Sequence, residues 1–558
     1  MKVSISWLKE LVNLKVSIDK IIDLLPLRTI GTKDITADFF ELDMKGYNRA
    51  DLLSMRGVAY EVAAITDSKI NFTEPDEKDF VWTNQNLPET QVEVKNPEFV
   101  PLYCIAKITG LRVGPPDKEW VEKLQDCGLR SVNNIADITN LVMLEYGQPL
   151  HAFDAQKVSG EKLIVRGARG GEEFVTLDEK IRRLHPSDLL IADPKKALAL
   201  AGVMGGKNSE VTGSTTTIFL EAAIFDPVII RKTAARLGLS SEASKRFQHG
   251  LTKKRLLQAF DAAIKMYEDV GGKLTAVSIT GNLKDQQKSI ELNYRNLNSL
   301  IGVEIPVEDV KKYLTKLNFK LQDWQAIPPY FRLDIEIEAD IIEEVARMYG
   351  YENIPPHKLQ GKLPDKIDQS LFDFIYELKA TLVELGLTEI QTYSFYSTDV
   401  LNNLNFNKNN LIKVANPISA ETEYLRDCLW SNLLEKVVQN LKQNFYQIAI
   451  FEIGKTYHSK EKSAPEEKNK LSLALSDNSP NSIQKLYSIF QKVQKRLGGK
   501  IELGRTEMDE EEKRLFHPVR FWQLTFDGKR IGEIAQIHPR IVNRFGVEKI
   551  VAVLEMEI

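Results

Sequence analysis

Four stretches of the chain hold residues whose types and spacing can do chemistry. The first, "DIEIEADIIEEVARMY" at 334–349, places Asp334, Glu336, Glu338, Asp340, Glu343 and Glu344 within eleven positions. Asp334, Glu336 and Glu338 alternate with Ile335 and Ile337, the period-two pattern of a half-buried strand. Asp340 then opens a helix, where Asp340 and Glu343 mimic a capping box and acids favour the N-terminal end. Asp340, Glu343 and Glu344 also share one helix face, and a strand running straight into that helix leaves Asp334 nearby. Four converging oxygens suit a hard cation such as Mg²⁺. A capped helix, a solvated surface and a metal site all fit the local pattern.

The second stretch, "SVNNIADITNLVMLEYGQPLHAFD" at 131–154, is dense in amides and hydroxyls: Asn133, Asn134, Thr139, Asn140 and Gln148, followed by His151. It reads as a polar pocket edge, or as helix caps with His151 bonded to a nearby carbonyl. In the third, Glu221 interrupts the apolar run "FLEAAIFDP", downstream of "LALAGVMGG". A lone buried carboxylate is costly unless paired, so Glu221 is either an edge residue facing water or a specificity group on a pocket floor. The fourth gathers Arg231, Lys232, Arg236, Lys245, Arg246, Lys253, Lys254 and Arg255, either a solvated helix face or a contact for a phosphate backbone.

Commoner chemistries lack their signatures. "AGVMGGKN" has Ala201 and Asn208 where a phosphate loop needs glycine and a hydroxyl. The seven histidines form no HExxH or HxH pair, and no G-x-S-x-G elbow is present. Cys104, Cys127 and Cys428 are scattered, which argues against a zinc ribbon or disulfide framework and fits a reducing, cytoplasmic setting. The N-terminus has no signal-peptide pattern, and no apolar run approaches the roughly 20 residues a bilayer span needs. With 27% charged residues and a net charge of −4, any nucleic-acid binding rests on local basic patches.

The elements that must position these residues follow from periodicity. The 558 residues imply three or four domains in an α+β multidomain chain. Residues 1–90 form a mixed N-terminal unit. In 91–275, "LYCIAKITGLRV" and "KALALAGVMGG" are strands, "DKEWVEKLQDCGL" is a helix ending at Gly128, and "PVIIRKTAARLGL" is a basic helix. Residues 287–360 form a small unit that Pro355-Pro356 closes. Residues 366–558 open with a long helix, followed by strands at "EIQTYSFYS", "QIAIFEIG" and "VRFWQLTFDGKRIGEIAQIH".

Taken together, "RSVNNIADITNLVMLEYGQPLHAFDA", "LALAGVMGGKNSEVT", "LEAAIFDPVIIRKTAARLGLSSEASKRFQHG", "DIEIEADIIEEVARMYGYENIPP", "NPISAETEYLRDCLWSNLLEKV" and "FEIGKTY" resemble, in order and separation, the phenylalanyl-tRNA synthetase beta subunit family. The resemblance implies a B3/B4-type editing domain over 91–275 and a small, winged-helix-like B5-type domain over 287–360. It also implies a degenerate class II synthetase-like antiparallel sheet domain over 366–558, where neither G-x-G-x-G-x-x-R nor a clear F-R-x-E occurs. It further implies a partner alpha subunit that charges tRNA(Phe) with ATP, an assembly of two alpha and two beta chains, and hydrolysis of mischarged tyrosyl-tRNA(Phe).

The family's editing residues map onto Thr139, Asn140 and His151, which orient water and ester carbonyl, and onto Gly202, Glu221 and Ala243, which receive the tyrosine ring. Its Mg²⁺ carboxylates map onto Asp334, Asp340, Glu343 and Glu344, leaving Glu336 and Glu338 as exposed strand positions. Against the long bacterial form, the inserted OB-fold and C-terminal ferredoxin-like modules are expected to be missing, leaving tRNA contacts to the alpha subunit or the basic cluster. Ser240 stands where the family has Arg, and "QHGLT" departs from the usual sequence beside the editing pocket. A scaffold subunit without editing and a free-standing aminoacyl-tRNA hydrolase remain as alternatives.

Overall fold

The computed structural model describes residues 1–83, 85–283, 288–356, 358, 361, 367–460, 463–477, 479–497 and 501–558. The expected module limits at 287, 360 and 366 lie outside these. The chain divides into two compact units, Met1–Leu359 and Gln360–Ile558.

The first unit is built around a four-stranded antiparallel sheet. Its order is Lys273–Gly281, Leu102–Thr109, Thr217–Ile224 and Leu150–Asp154. Thr217–Ile224 has a partner on each side, and seven of its eight residues are buried, so Glu221 has no water-facing position. Glu221 lies in this strand, directly across from His151 on one side and Ile105 on the other. A second sheet runs Met204–Gly205, Ala197–Leu200, Leu189–Ala192, Lys162–Gly167 and Gln91–Val94, the last pair parallel. One continuous apolar core joins residues of both sheets with the long helix Lys253–Asp269.

Two helices frame the future site. Asn133 starts Asn134–Tyr146 by accepting from the Ile135 and Ala136 amides, and Gly147, at φ 79°, stops it. Asp226 caps Pro227–Leu237 by accepting from the Ile229 amide, Pro227 occupies the first turn, and Gly238 at φ 63° ends it. The expected basic helix is therefore present.

Within the same unit, helices Ile5–Leu11, Ile18–Arg28 and Met55–Thr66 share an N-terminal core. Residues 290–351 set helices Tyr294–Ile301, Val307–Lys316 and Glu338–Tyr349 against a three-stranded sheet of Ile290–Glu291, Gln325–Ile327 and Lys320–Gln322. The strand expected at 334–338 is not there: the segment is turn and bend up to the helix. The Asp340 carboxylate accepts from the Glu336 and Ile337 amides, taking donors that a ladder would need.

The second unit carries a seven-stranded sheet of order Thr388–Glu389, Ile448–His458, Glu466–Ser476, Ala552–Glu557, Lys529–Ile537, Phe516–Phe526 and Ile501–Gly504. All pairs are antiparallel except the first. The strand expected over "EIQTYSFYS" shrinks to Thr388–Glu389, while the other two expected strand regions form in full. Arg426 donates to Glu452 at 2.8 Å, and Lys470 to Glu555 at 2.8 Å. Glu555 also accepts from the Leu429 and Trp430 amides at the start of helix Trp430–Lys442. The buried Arg426 and the half-buried Lys470 are committed to the chain's own carboxylates.

Candidate functional site

Thr139, Asn140, His151, Gly202, Glu221 and Ala243, spread over a hundred positions, line a single cavity of about 430 Å³ in the first unit. Thr139 and Asn140 come from the helix that Asn133 caps, and His151 and Glu221 from neighbouring strands. Gly202 comes from the turn between two strands, and Ala243 from the short helix Glu242–Phe247 capped by Ser241. The pocket-edge and helix-cap readings of 131–154 are both present, because Asn133 does the capping and leaves Thr139 and Asn140 on the cavity side. His151 bonds no carbonyl among the described residues.

Two residues of the cavity, Glu221 and His151, bring in side-chain groups that no protein group among the described residues hydrogen-bonds. Glu221 is 5% exposed, and no side chain or amide among the described residues hydrogen-bonds its carboxyl. Burial pushes it up to about 8, so at neutral pH it is a neutral acid that can both donate and accept. The His151 ring packs edge-on against Phe153 at 4.5 Å, and its Nε2 is sealed from solvent with no partner. Burial holds His151 down at about 4, a neutral imidazole at pH 7. The Thr139 hydroxyl donates to the Ala136 carbonyl at 2.7 Å, leaving its oxygen lone pairs to accept from the cavity.

Glycines set the walls. Gly202 has φ +66°, and a Cβ there would come within 2.8 Å of Ile230 Cδ1 and 3.0 Å of Phe225 Cδ2. Gly205 is a residue that pattern alone does not single out. A Cβ on it would lie 2.6 Å from His151 Cε1, so the imidazole is seated against bare backbone. The Gly205-Gly206 pair is the one signal in the sequence for that close approach.

The two titrations have opposite consequences for stability. From pH 4.5 to about 8 the unfolded chain releases the Glu221 proton while the folded chain keeps it, so stability falls as pH rises through that window. Glu221→Gln is therefore expected to stabilise the first unit progressively above pH 5, to an upper limit of ~5 kcal/mol past pH 8. Below pH 6.5 the unfolded chain takes up a His151 proton that the folded chain refuses, and stability falls again towards pH 4. Urea denaturation of both proteins across pH 5–9 reads the difference directly.

The acidic stretch does not form the expected Mg²⁺ set. Glu344 is 3% exposed and held by two arginines: Arg332 at 2.7 and 2.8 Å, and Arg347 at 2.6 and 3.0 Å. Asp334 takes the other edge of Arg332, at 2.7 and 2.9 Å. Asp340 is spent on the backbone amides at the start of its helix, and Glu343 points to solvent. Glu338 is not free either, accepting from the Asn293 amide and Asn296 side chain. Among the described residues no three His, Cys, Asp or Glu side chains are grouped for a metal ion. The four carboxylates thus do not fit a shared Mg²⁺. The physical reason is competition: planar guanidinium forks satisfy the carboxylates that an ion would otherwise draw together.

The arginine chain continues into the N-terminal region. Arg347 pairs with Glu61, which also takes Arg49 at 2.8 Å and the Thr29 hydroxyl at 2.7 Å. Arg49 then grips Asp51 at 2.7 and 2.8 Å. Opposed charges hold the Glu61 and Glu344 carboxyls below their ordinary values against the contrary pull of burial.

The basic cluster is likewise less open than its composition suggests. Arg246 and Arg255 are 1% and 5% exposed, Arg236 pairs with Asp188, and Lys245 with Glu242. Lys253 and Lys254 pair with Glu77 and Glu74. Among the described residues of this cluster, only Arg231 and Lys232 stand on an exposed face without an ion pair. No helix of the described residues is long and apolar enough to cross a membrane.

Comparison with known proteins agrees with this architecture. Residues 100–272 match the B3/4 domain, residues 290–351 the tRNA synthetase B5 domain, and residues 354–558 the phenylalanyl tRNA synthetase beta chain CLM domain. Phenylalanine–tRNA ligase beta subunits are similar along most of the chain. That of Geobacter metallireducens is 30% identical over 95% of this chain and 68% of its own length. Those of Syntrophus aciditrophicus (31%, over 92% of this chain and 66% of that protein) and Halalkalibacterium halodurans (35%, over 89% and 64%) follow closely. The chain thus spans about two thirds of the length of such relatives. It belongs to the phenylalanine–tRNA ligase beta subunit family.

Proposed function

We propose that this chain is the editing and assembly subunit of a phenylalanine–tRNA ligase. It pairs with an alpha subunit, as two alpha and two beta chains, that charges tRNA(Phe) with ATP, and it hydrolyses tyrosyl-tRNA(Phe) in the 430 Å³ cavity. The observation that carries this reading is the unpartnered Glu221 carboxyl buried beside His151 in that cavity. A group so costly to bury is kept where a ligand completes it. The tyrosine hydroxyl is such a ligand, because it can accept from and donate to a neutral carboxylic acid. Phenylalanine leaves the acid unpaired, and that mismatch discriminates strongly.

Hydrolysis needs no protein nucleophile. Water adds to the ester carbonyl carbon, the bond from that carbon to the ribose oxygen breaks, and the ribose oxygen receives a proton as tyrosine leaves. The Thr139 oxygen accepts from the water, the Asn140 amide donates to the carbonyl oxygen, and the neutral His151 holds water and ester in line. His151→Ala is expected to lower tyrosyl-tRNA(Phe) hydrolysis by the assembled enzyme ~100-fold, within the range such positioned groups supply, while phenylalanine charging continues. Equal hydrolysis by both proteins rules the assignment out and favours the scaffold reading.

The second unit supports the division of labour. Arg426 and Lys470 are neutralised internally, which leaves charging to the partner. Helix Ser370–Glu384 turns Leu378 and Leu382 inward and leaves Phe372, Tyr376 and Val383 between 56% and 68% exposed along one stripe. That stripe suits docking of the alpha chain. A free-standing hydrolase would have no use for it.

A further inference from the structure

The mouth of the cavity has a composition of its own. Of its lining residues, only Val132, 64% exposed, and Leu177, 36% exposed, stand open to solvent, and both are apolar. The lining includes no lysine or arginine.

Hydrogen bonds fix both backbones, and the Leu177 side chain reaches over the turn, its Cδ1 3.1 Å from where a Gly205 Cβ would stand. The Val132 amide donates to the Asp137 carboxylate at 2.9 Å, and the Ser131 hydroxyl donates to the same group at 2.6 Å. Asp137 is fully buried in the pocket helix, so it anchors the Val132 backbone at the rim, where the side chain is exposed. Leu177 tips the hairpin of Glu173–Val175 and Ile181–Arg183. Its amide donates to the Gly205 carbonyl at 3.0 Å, and Thr176 bridges to Gly206, so the hairpin tip is pinned to the turn that seats His151.

An ester placed with its ring at Glu221 and its carbonyl at His151 must send its alcohol half out through this mouth. Without cations the lining offers no counter-charge to a phosphate, but it offers an apolar surface to a base. We infer that Val132 and Leu177 form a clamp for the purine base of the 3′-terminal nucleoside that carries the aminoacyl ester. The clamp rests on the editing reading of the cavity. Its job is to register the ester carbonyl against His151, and it reads nothing further along the nucleic acid.

Two probes test it on the full chain by calorimetry: tyrosinamide, and the non-hydrolysable 3′-tyrosylamino-3′-deoxyadenosine. The clamp predicts that the nucleoside probe binds at least ~10-fold more tightly, the order of gain that base packing supplies. Leu177→Asp and Val132→Asp should each remove ~5-fold or more of that gain and leave tyrosinamide unchanged. Both positions are exposed, and Leu177→Ala, with a smaller loss in the same direction, controls for disturbance of the hairpin. Tyrosinamide binding with no gain from the nucleoside, or a gain that survives both substitutions, overturns the clamp alone. Binding of neither probe overturns the editing cavity and the clamp with it.

Discussion

Glu221→Met is expected to cut the preference of the assembled enzyme for tyrosyl- over phenylalanyl-tRNA(Phe) by on the order of 100-fold or more. Methionine nearly matches glutamate in size, so the cavity keeps its volume while its floor loses both donor and acceptor. The tyrosine hydroxyl then enters without a partner, at ~1–3 kcal/mol, and phenylalanine no longer strands a carboxyl. The signature is a change in ratio: tyrosyl release slows while phenylalanyl release holds or rises. Equal loss for both esters means that Glu221 supports the fold without choosing the substrate. Single-turnover deacylation of the two esters by the two proteins separates these outcomes.

The second large effect lies in the arginine relay. Arg347→Met leaves Glu61 and Glu344 buried with one cation fewer each. Breaking such a pair from one side costs about 3–5 kcal/mol. The expected result is an early loss of protease resistance in the first unit, because Arg347 joins the helix at 338–349 to the N-terminal core through Glu61 and the Arg28 carbonyl. Millimolar Mg²⁺ or EDTA should move neither the parent chain nor the variant, since Glu344 and Asp334 are already held by guanidinium groups. A Mg²⁺-dependent rise in the parent's unfolding midpoint would restore the metal reading of this stretch.

These two regions also show what the sequence makes legible. The antiparallel sheet, the long helices and their caps follow from local periodicity and turn chemistry, as with Asn133, Asp226 and Gly238. The cavity set does not. Thr139, Glu221 and Ala243 share no local pattern, and only resemblance to a family joins them before the fold does. Whether Glu221 is an edge or a floor residue depends on strands 102–109 and 150–154 closing over both sides of it, which is a fact of topology.

The acidic stretch was open to misreading for the opposite reason, an excess of local pattern. Alternating acids and a capping motif describe the segment well, but its partners are Arg332 beside it and Arg347 one turn on, with Asn293 and Glu61 far off in sequence. The same holds for the basic cluster. Arg246 and Arg255 look exposed because charge usually is, yet both are buried in helix packing.

On the proposed function, a buried, unpartnered carboxyl fits this cavity to edit a hydroxyl-bearing aromatic ester. The most direct test is the rate at which the chain, assembled with its alpha subunit, releases tyrosine from tyrosyl-tRNA(Phe) compared with phenylalanine from phenylalanyl-tRNA(Phe), in single turnover at pH 7. Tyrosine release is expected to be faster by ~100-fold or more, and to be abolished by His151→Ala. Equal rates for the two esters, or release unaffected by His151→Ala, would contradict it.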